Sequence, residues 1–242
     1  AHIQINEEQY VGRGALKLEH ALSVCNISVQ GRTCMDIGSS TGGFTEVLLK
    51  HGAQLVFAVD TGSNQLAEKL AQDSRVVVCE KTDIRTVTRD HLINLMHSRQ
   101  QIDPTHYKLK NTNTKDSDVI PNTSNMLGNI SMIVADVSFI SLSQIVPSVK
   151  HILEENPHAG HTDCIFLIKP QFEVGSHNIG KNGIVKLEDP QIYQEFQHAI
   201  QKLRNILTGL GFTYVHLCES PIKGGSGNTE YLLYTTYTHV TQ

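Results

Sequence analysis

Residues 34–44, Cys-Met-Asp-Ile-Gly-Ser-Ser-Thr-Gly-Gly-Phe, bring an acid, three glycines and three hydroxyls together in one stretch. Thr33 to Ile37 read as a short strand carrying Asp36. Gly38, Gly42 and Gly43 let the backbone turn tightly and approach a ligand closely. Phe44, Val47, Leu48 and His51 repeat on one face of a following helix. In an open α/β sheet such a strand, turn and helix place ligands beyond the strand's carboxyl end. The spacing is Gly38-x-x-x-Gly42-Gly43, without the middle glycine of the dinucleotide fingerprint G-x-G-x-x-G. An acid inside the strand would also repel a pyrophosphate. Asp36 suits a ligand with a cationic end, and S-adenosylmethionine (SAM) has one in its ammonium and sulfonium. Asp60, after Leu55 to Val59, is placed to accept ribose hydroxyls. Asp83, after Val76 to Cys79, is placed to accept the adenine amino group. One strand-end Asp is commonly a helix cap; the ordered series of three is the stronger signal for a SAM pocket.

A second constellation lies further along. Asp136 ends the run Met132 to Ala135, Lys169 ends Cys164 to Ile168, and Glu230 opens the last apolar run. In an α/β order these three share the ligand-bearing edge of the sheet. Buried acids and lysines often pair only to satisfy charge, so a structural salt bridge is the simplest account. Lys17, in Tyr10-Val-Gly-Arg-Gly-Ala-Leu-Lys-Leu18, reads by its surroundings as part of a solvated helix face.

The elements that must position these groups alternate. A helix is expected around Leu16 to Val24, then strand 1 and its helix (33–51), strand 2 (55–59), a helix from about Asn64 to Ala71, and strand 3 (76–79). Strand 4 (132–135), a helix from about Leu142 to Leu153, and strand 5 (164–168) follow. Residues 171–186 read as a glycine-rich basic loop and candidate lid. A long helix from about Pro190 to Leu210 starts at a proline and stops at glycine. Phe212 to Cys218 and Tyr231 to Tyr237 alternate like paired strands. The expected fold is an α/β, Rossmann-like, seven-stranded SAM-dependent methyltransferase sheet, mostly parallel, with a C-terminal antiparallel hairpin. Residues 1–9 are expected to be a tail, 10–242 one methyltransferase domain, and the polar stretch 98–129 a surface insertion.

The 242 residues, 39% hydrophobic and 18% charged, fit one soluble globular domain. No apolar run can span a bilayer and no signal-type segment opens the chain, so a cytoplasmic protein is expected. The five cysteines form no C-x-x-C pair and read as reduced. His151, His158 and His161 cluster by chance, and no metal site is expected. The net charge of −4 excludes the strongly basic footprint of a free-standing nucleic-acid binder.

The motifs Asp36-Ile-Gly-Ser-Ser-Thr-Gly-Gly-Phe44, Ala135-Asp-Val-Ser-Phe-Ile-Ser141, Lys169-Pro-Gln-Phe-Glu173 and Asn228-Thr-Glu-Tyr-Leu232, with the lead-in at 10–18, resemble the haemolysin A / TlyA branch of the FtsJ-like (RrmJ) 2′-O-ribose methyltransferases. The resemblance covers roughly residues 10–97 and 130–237. It implies a Lys-Asp-Lys-Glu tetrad at Lys17, Asp136, Lys169 and Glu230, which reverses the solvated reading of Lys17. It implies SAM contacts from Gly38, Ser39, Ser40, Thr41, Gly42, Gly43 and Phe44, with Asp60 and Asp83. The expected substrate is RNA, in particular ribosomal RNA or a ribosomal subunit, with no membrane, no metal and no particular oligomeric state implied. The S4-type RNA-binding domain usual in that branch is not found before these motifs, and the 98–129 insertion is longer than expected. In such a tetrad Lys169 would accept or orient the proton of a ribose 2′-hydroxyl. Lys17 and burial would favour a neutral amine there, whereas Asp136 and Glu230 oppose it. Two alternatives remain open: a SAM enzyme acting on a small molecule, distinguished by a closed pocket in place of a groove flanked by Arg13, Lys181, Lys186 and Lys223; and a haemolysin-type membrane-active protein, for which no basic amphipathic helix is found.

Overall fold

The structure, a computed structural model, describes residues 10–100, 130–155 and 160–238. The expected tail (1–9), the expected insertion from 101 to 129, and His158 lie outside the described residues. One sheet of seven strands organises the described chain, in the order β3-β2-β1-β4-β5-β7-β6. The strands are β1 (Thr33–Ile37), β2 (Leu55–Val59), β3 (Val76–Cys79), β4 (Ile130–Ala135), β5 (His161–Ile168), β6 (Phe212–Glu219) and β7 (Tyr231–Thr238). The first five run parallel; β7 runs antiparallel to both β5 and β6. Central strands β1 and β2 are buried at every residue, as a parallel sheet covered on both faces requires. Edge strand β6 exposes Thr213, Val215 and His216 and keeps Phe212 inside.

The helices are α1 (Gly14–Val24), α2 (Gly43–Lys50), α3 (Glu68–Ala71), α4 (Arg89–Gln100), α5 (Leu142–Glu154), α6 (Pro170–Glu173) and α7 (Pro190–Gly209). α1, α2 and α3 pack on one face around Leu18, Val47, Leu48 and Val56. α4, α5 and α7 pack on the other around Phe57, Ile133, Ile145 and Phe166. α7 begins where the Asp189 carboxylate accepts the amides of Gln191 (2.8 Å) and Ile192 (3.3 Å), with Pro190 in the first turn. α5 is capped in the same way by Ser141, whose hydroxyl accepts the Ser143 amide.

Three readings of the sequence need correction. The helix expected from Asn64 forms only at Glu68–Ala71, because the Glu80 carboxylate takes the amides of Asn64, Gln65 and Leu66 and holds that stretch as a loop. α4 was not expected: its sequence, Arg-Asp-His-Leu-Ile-Asn-Leu-Met-His-Ser-Arg-Gln, is polar, and it is held by burial of Leu92 and Met96. The 171–186 stretch is not one loop; it holds the end of α6 and two single turns at Ser176–Asn178 and Lys181–Gly183.

From β1 the chain winds outward through β2 and β3, then returns to β4 and winds the other way through β5. The reversal lies between β1 and β4, and a crevice opens there at their carboxyl ends. Gly38 and Asp136 face each other across it.

Candidate active site

Gly38 follows β1 with φ +80°, and its amide donates to the Val59 carbonyl at 2.8 Å. A Cβ at Gly38 would run into the Asp136 carbonyl, so only glycine lets the β1 and β4 loops come this close. Asp60, after β2, accepts the Ser40 amide at Oδ2 (2.8 Å) and the Gly62 amide at Oδ1 (2.7 Å). It is thereby fixed, and each oxygen keeps a free lone pair. Asp83 caps the turn Ile84–Thr86 and is clasped by the Arg85 guanidinium, with Nη2 at 2.6 Å. Those bonds hold the Asp83 carboxyl below the usual carboxylate range.

Two cavities meet at this edge. The larger, about 540 Å³, runs from Gly38 and Asp60 to Asp83 and Arg85 between Ile37, Ile84 and Ile145. The smaller, about 230 Å³, lies between Arg13, the Ser39–Thr41 turn, Gly43, Phe44 and Lys169. Gly38, Ser40, Asp136 and Ser138 line both and form the junction.

Eight of the ten residues expected at the cofactor line one or both cavities; Asp36 and Gly42 line neither. Asp36 lies fully buried beneath the turn, with its Oδ2 accepting the Thr45 hydroxyl at 2.6 Å. Burial pushes its carboxyl up to about 7, and Asp136 and Asp60 add repulsion. Gly42, at φ +98°, lies under Leu66 and Leu70.

The four expected tetrad residues converge. Lys17 Nζ lies 2.6 Å from Glu230 Oε2 and 3.7 Å from Asp136 Oδ2; Lys169 Nζ lies 2.6 Å from Asp136 Oδ1. Asp136 Oδ1 and Glu230 Oε2 lack a well-angled hydrogen bond, so the ion pairs are what balance them. Lys17 and Glu230 are 7% and 2% exposed and form an inner pair. Asp136 bridges outward to Lys169, which lines the smaller cavity. The solvated reading of Lys17 fails because Ala15, Leu16, Lys17 and Leu18 are all buried where α1 docks on α2 and β7. Gly224 packs against the Glu230 carboxylate, and a side chain there would collide with it.

The sequence reading misses the roles of four residues at or behind the mouth, although all four lie inside the motifs that carry the resemblance. Ser138 accepts a hydrogen bond from Lys169 Nζ at 2.8 Å. Phe139, 92% exposed with φ +64°, stands at the larger cavity with its ring 5.3 Å from that of Phe172. Glu173 accepts the Ser141 hydroxyl (2.6 Å) and the Leu142 amide (2.8 Å), lacing the loop after β5 to the loop after β4. Burial raises the Glu173 carboxyl above the usual range despite those donors. Asn228, 2% exposed, joins Val185 N (2.8 Å) and Gly183 O (2.8 Å) to the start of β7.

No group of three or more potential metal ligands occurs among the described residues, and no described helix is long and apolar enough to cross a membrane.

The sheet and its crevice have the architecture of the SAM-dependent methyltransferases. A methyltransferase of this class from Mesorhizobium loti superposes with a TM-score of 0.53 at 12% identity, covering 90% of this chain and 95% of the other. The chain belongs to the FtsJ-like methyltransferase family, whose model matches residues 10–237. It is 36% identical over 229 residues to the 16S/23S rRNA (cytidine-2′-O)-methyltransferase TlyA of Mycobacterium tuberculosis, covering 95% of this chain and 69% of that protein. It is 37% identical over 224 residues to hemolysin A of Brachyspira hyodysenteriae, covering 93% and 75%. The chain spans between 66% and 75% of the length of the relatives that it matches along nearly its whole length.

Proposed function

We propose that the protein is a SAM-dependent 2′-O-ribose methyltransferase of ribosomal RNA, acting in the cytoplasm. The observation that carries the reading is Lys169. Its amine is held by Asp136, braced from behind by Lys17 and Glu230, and faces the smaller cavity beside the Gly38–Thr41 turn.

The residues fit the cofactor. The larger cavity offers Asp60 to ribose hydroxyls and Asp83 to an adenine amino group, between apolar walls. The Gly38 backbone leaves no room for a side chain, and the Ser39 hydroxyl is buried without a partner. When bound, SAM supplies an electrophilic methyl group on a sulfonium. The protein supplies the other half. A ribose 2′-hydroxyl is a poor nucleophile until its proton is drawn away. Lys169 Nζ accepts that proton or orients the hydroxyl; Asp136 fixes the direction of the amine; Lys17 and Glu230 hold Asp136 and keep the buried charges balanced. Positioning of two reactants can account for ~7–11 kcal/mol of a barrier, so a rigid brace matters as much as the base.

An RNA substrate is favoured over a small molecule by the exposed Phe139 ring, a surface on which a base can stack. Arg13 lines the smaller cavity, and Lys181, Lys186 and Lys223 are exposed on the loops before α7 and β7. The TlyA relatives, named as rRNA (cytidine-2′-O)-methyltransferases, support this choice. The test is incubation with methyl-labelled SAM and ribosomal RNA or subunits, followed by mapping of alkali-resistant linkages. Label at a 2′-oxygen that vanishes with Lys169→Ala, while SAM still binds, is the expected outcome. Label on a base, or none on any RNA, overturns the assignment.

A further inference from the structure

We infer that Ser138 is a positioning residue for Lys169, a fifth member of the catalytic group; this rests on the reading of Lys169 given above. A lysine amine has three directions besides its own carbon. The Ser138 hydroxyl takes one at 2.8 Å, while Asp136 Oδ1, 2.6 Å away, pairs with the amine by charge and without a well-angled hydrogen bond. Lys169 lines the smaller cavity. Asp136 alone would leave the amine free to rotate about its single contact. Asp136 anchors the amine by charge and the Ser138 hydroxyl fixes one N–H direction, so together they limit how the remaining positions, proton or lone pair, can turn.

Ser138 is held well enough to do this. It lies at the junction of the two cavities, where acceptor and cofactor must meet. Its loop is anchored on both sides. Upstream, the Asp136 amide donates to the Ile37 carbonyl at 2.9 Å, continuing the β1–β4 pairing. Downstream, Glu173 grips Ser141 and Leu142, and Phe139 leans on Phe172. Ser138 is exposed, so removal of its hydroxyl opens no cavity in the core.

The test uses Ser138→Ala and Ser138→Thr in the full chain, with two readouts. The first is the single-turnover methylation rate at saturating SAM and ribosomal RNA. Ser138→Ala is expected to fall about tenfold, the scale of one hydrogen bond to a charged group. SAM affinity should stay within about twofold, and Ser138→Thr, which restores the hydroxyl, should recover the rate. The second readout needs no turnover: the rate at which an amine-acylating reagent labels Lys169, read by mass spectrometry. Ser138→Ala should label faster than the parent, and Ser138→Thr should return to the parent rate. Equal labelling of Lys169 in all three proteins overturns the inference, as does a threonine variant as slow as the alanine one. A loss confined to SAM affinity makes Ser138 a cofactor contact and also overturns it. If the labelling pattern holds but the parent protein methylates no RNA, the substrate reading fails and the positioning role stands.

Discussion

Two ionic clusters, each built around a carboxylate paired with cations, sit at opposite ends of β5, and only one of them is open. At the amino end, Asp163, 3% exposed, is gripped by the Arg32 guanidinium, by the Tyr234 hydroxyl at 2.6 Å and by His161 Nε2 at 3.1 Å. Burial pushes its carboxyl up, but the bonds from Tyr234, Arg32 and His161 outweigh it and hold it below the usual range. Arg32 spends its remaining reach on the Ser131 carbonyl, tying β4 to β5. Asp163 and Arg32 line neither cavity. At the carboxyl end, Lys17 pairs with Glu230 at 2.6 Å and more loosely with Asp136 at 3.7 Å, and the last member, Lys169, lines a cavity. A buried salt bridge is therefore a poor guide to function by itself. A partly unclosed set of partners beside a cavity is the better sign.

Substitutions should separate the two ends. The largest effect is expected from Lys169→Ala. Methylation should fall by about a hundredfold to ten-thousandfold, the range of general acid–base catalysis, with melting temperature and SAM affinity nearly unchanged. Lys17→Ala should lose activity as well, but also stability, because it leaves Glu230 buried without its cation. Equal melting temperatures for the two variants would contradict the inner and outer division of the tetrad. At the closed end the pattern inverts. Asp163→Ala should cost about 3 kcal/mol in chemical denaturation, since Arg32 and Tyr234 lose their acceptor, while the rate constant of the folded protein stays at the parent value. The pH dependence follows from the lowered Asp163 carboxyl. Its stabilisation is present above the unfolded value and is lost as pH falls through the folded one. Acid unfolding of Asp163→Asn should therefore be flatter than that of the parent. A large loss of catalytic rate in Asp163→Ala would erase the contrast between the ends.

Much of this was legible in the sequence, for physical reasons that differ by element. Strands β1, β2 and β3 were readable because apolar runs that end in an acid and then a turn have few other folds open to them. α7 was readable because Asp189-Pro190 starts it and glycine stops it. Asp136 and Lys169 could be placed together because both end parallel strands. Lys17 could not be placed from its neighbours: burial of a lysine depends on a carboxylate 213 positions away, at Glu230, and nothing local announces it. α3 was overestimated for the same kind of reason, since the Glu80 side chain competes for the amides a helix would need. Ser138, Phe139 and Glu173 sat inside recognised motifs, but their roles depend on two loops meeting.

Asp36 is a third buried acid, and it completes the comparison because it has neither arrangement. The charges that reach it are Asp136 and Asp60, both of its own sign, and its donors are the hydroxyl and backbone amide of Thr45, neither of them charged. Its carboxyl is raised from 3.8 to about 7. A raised folded value means that the fold binds the proton more tightly than the unfolded chain does. The stabilisation is then fully present below about pH 4 and is lost as pH rises through about 7. Between pH 5 and 8 this group should lower stability by about 2 kcal/mol, taking 1.4 kcal/mol per unit and discounting for relaxation. Asp36→Asn stays neutral throughout and can keep the bond from Thr45. Its melting temperature should change less than that of the parent across this range, and the two should diverge most at pH 8, with the variant the more stable. Parallel curves would mean that Asp36 is already ionised at pH 5, and that a cation reaches it after all.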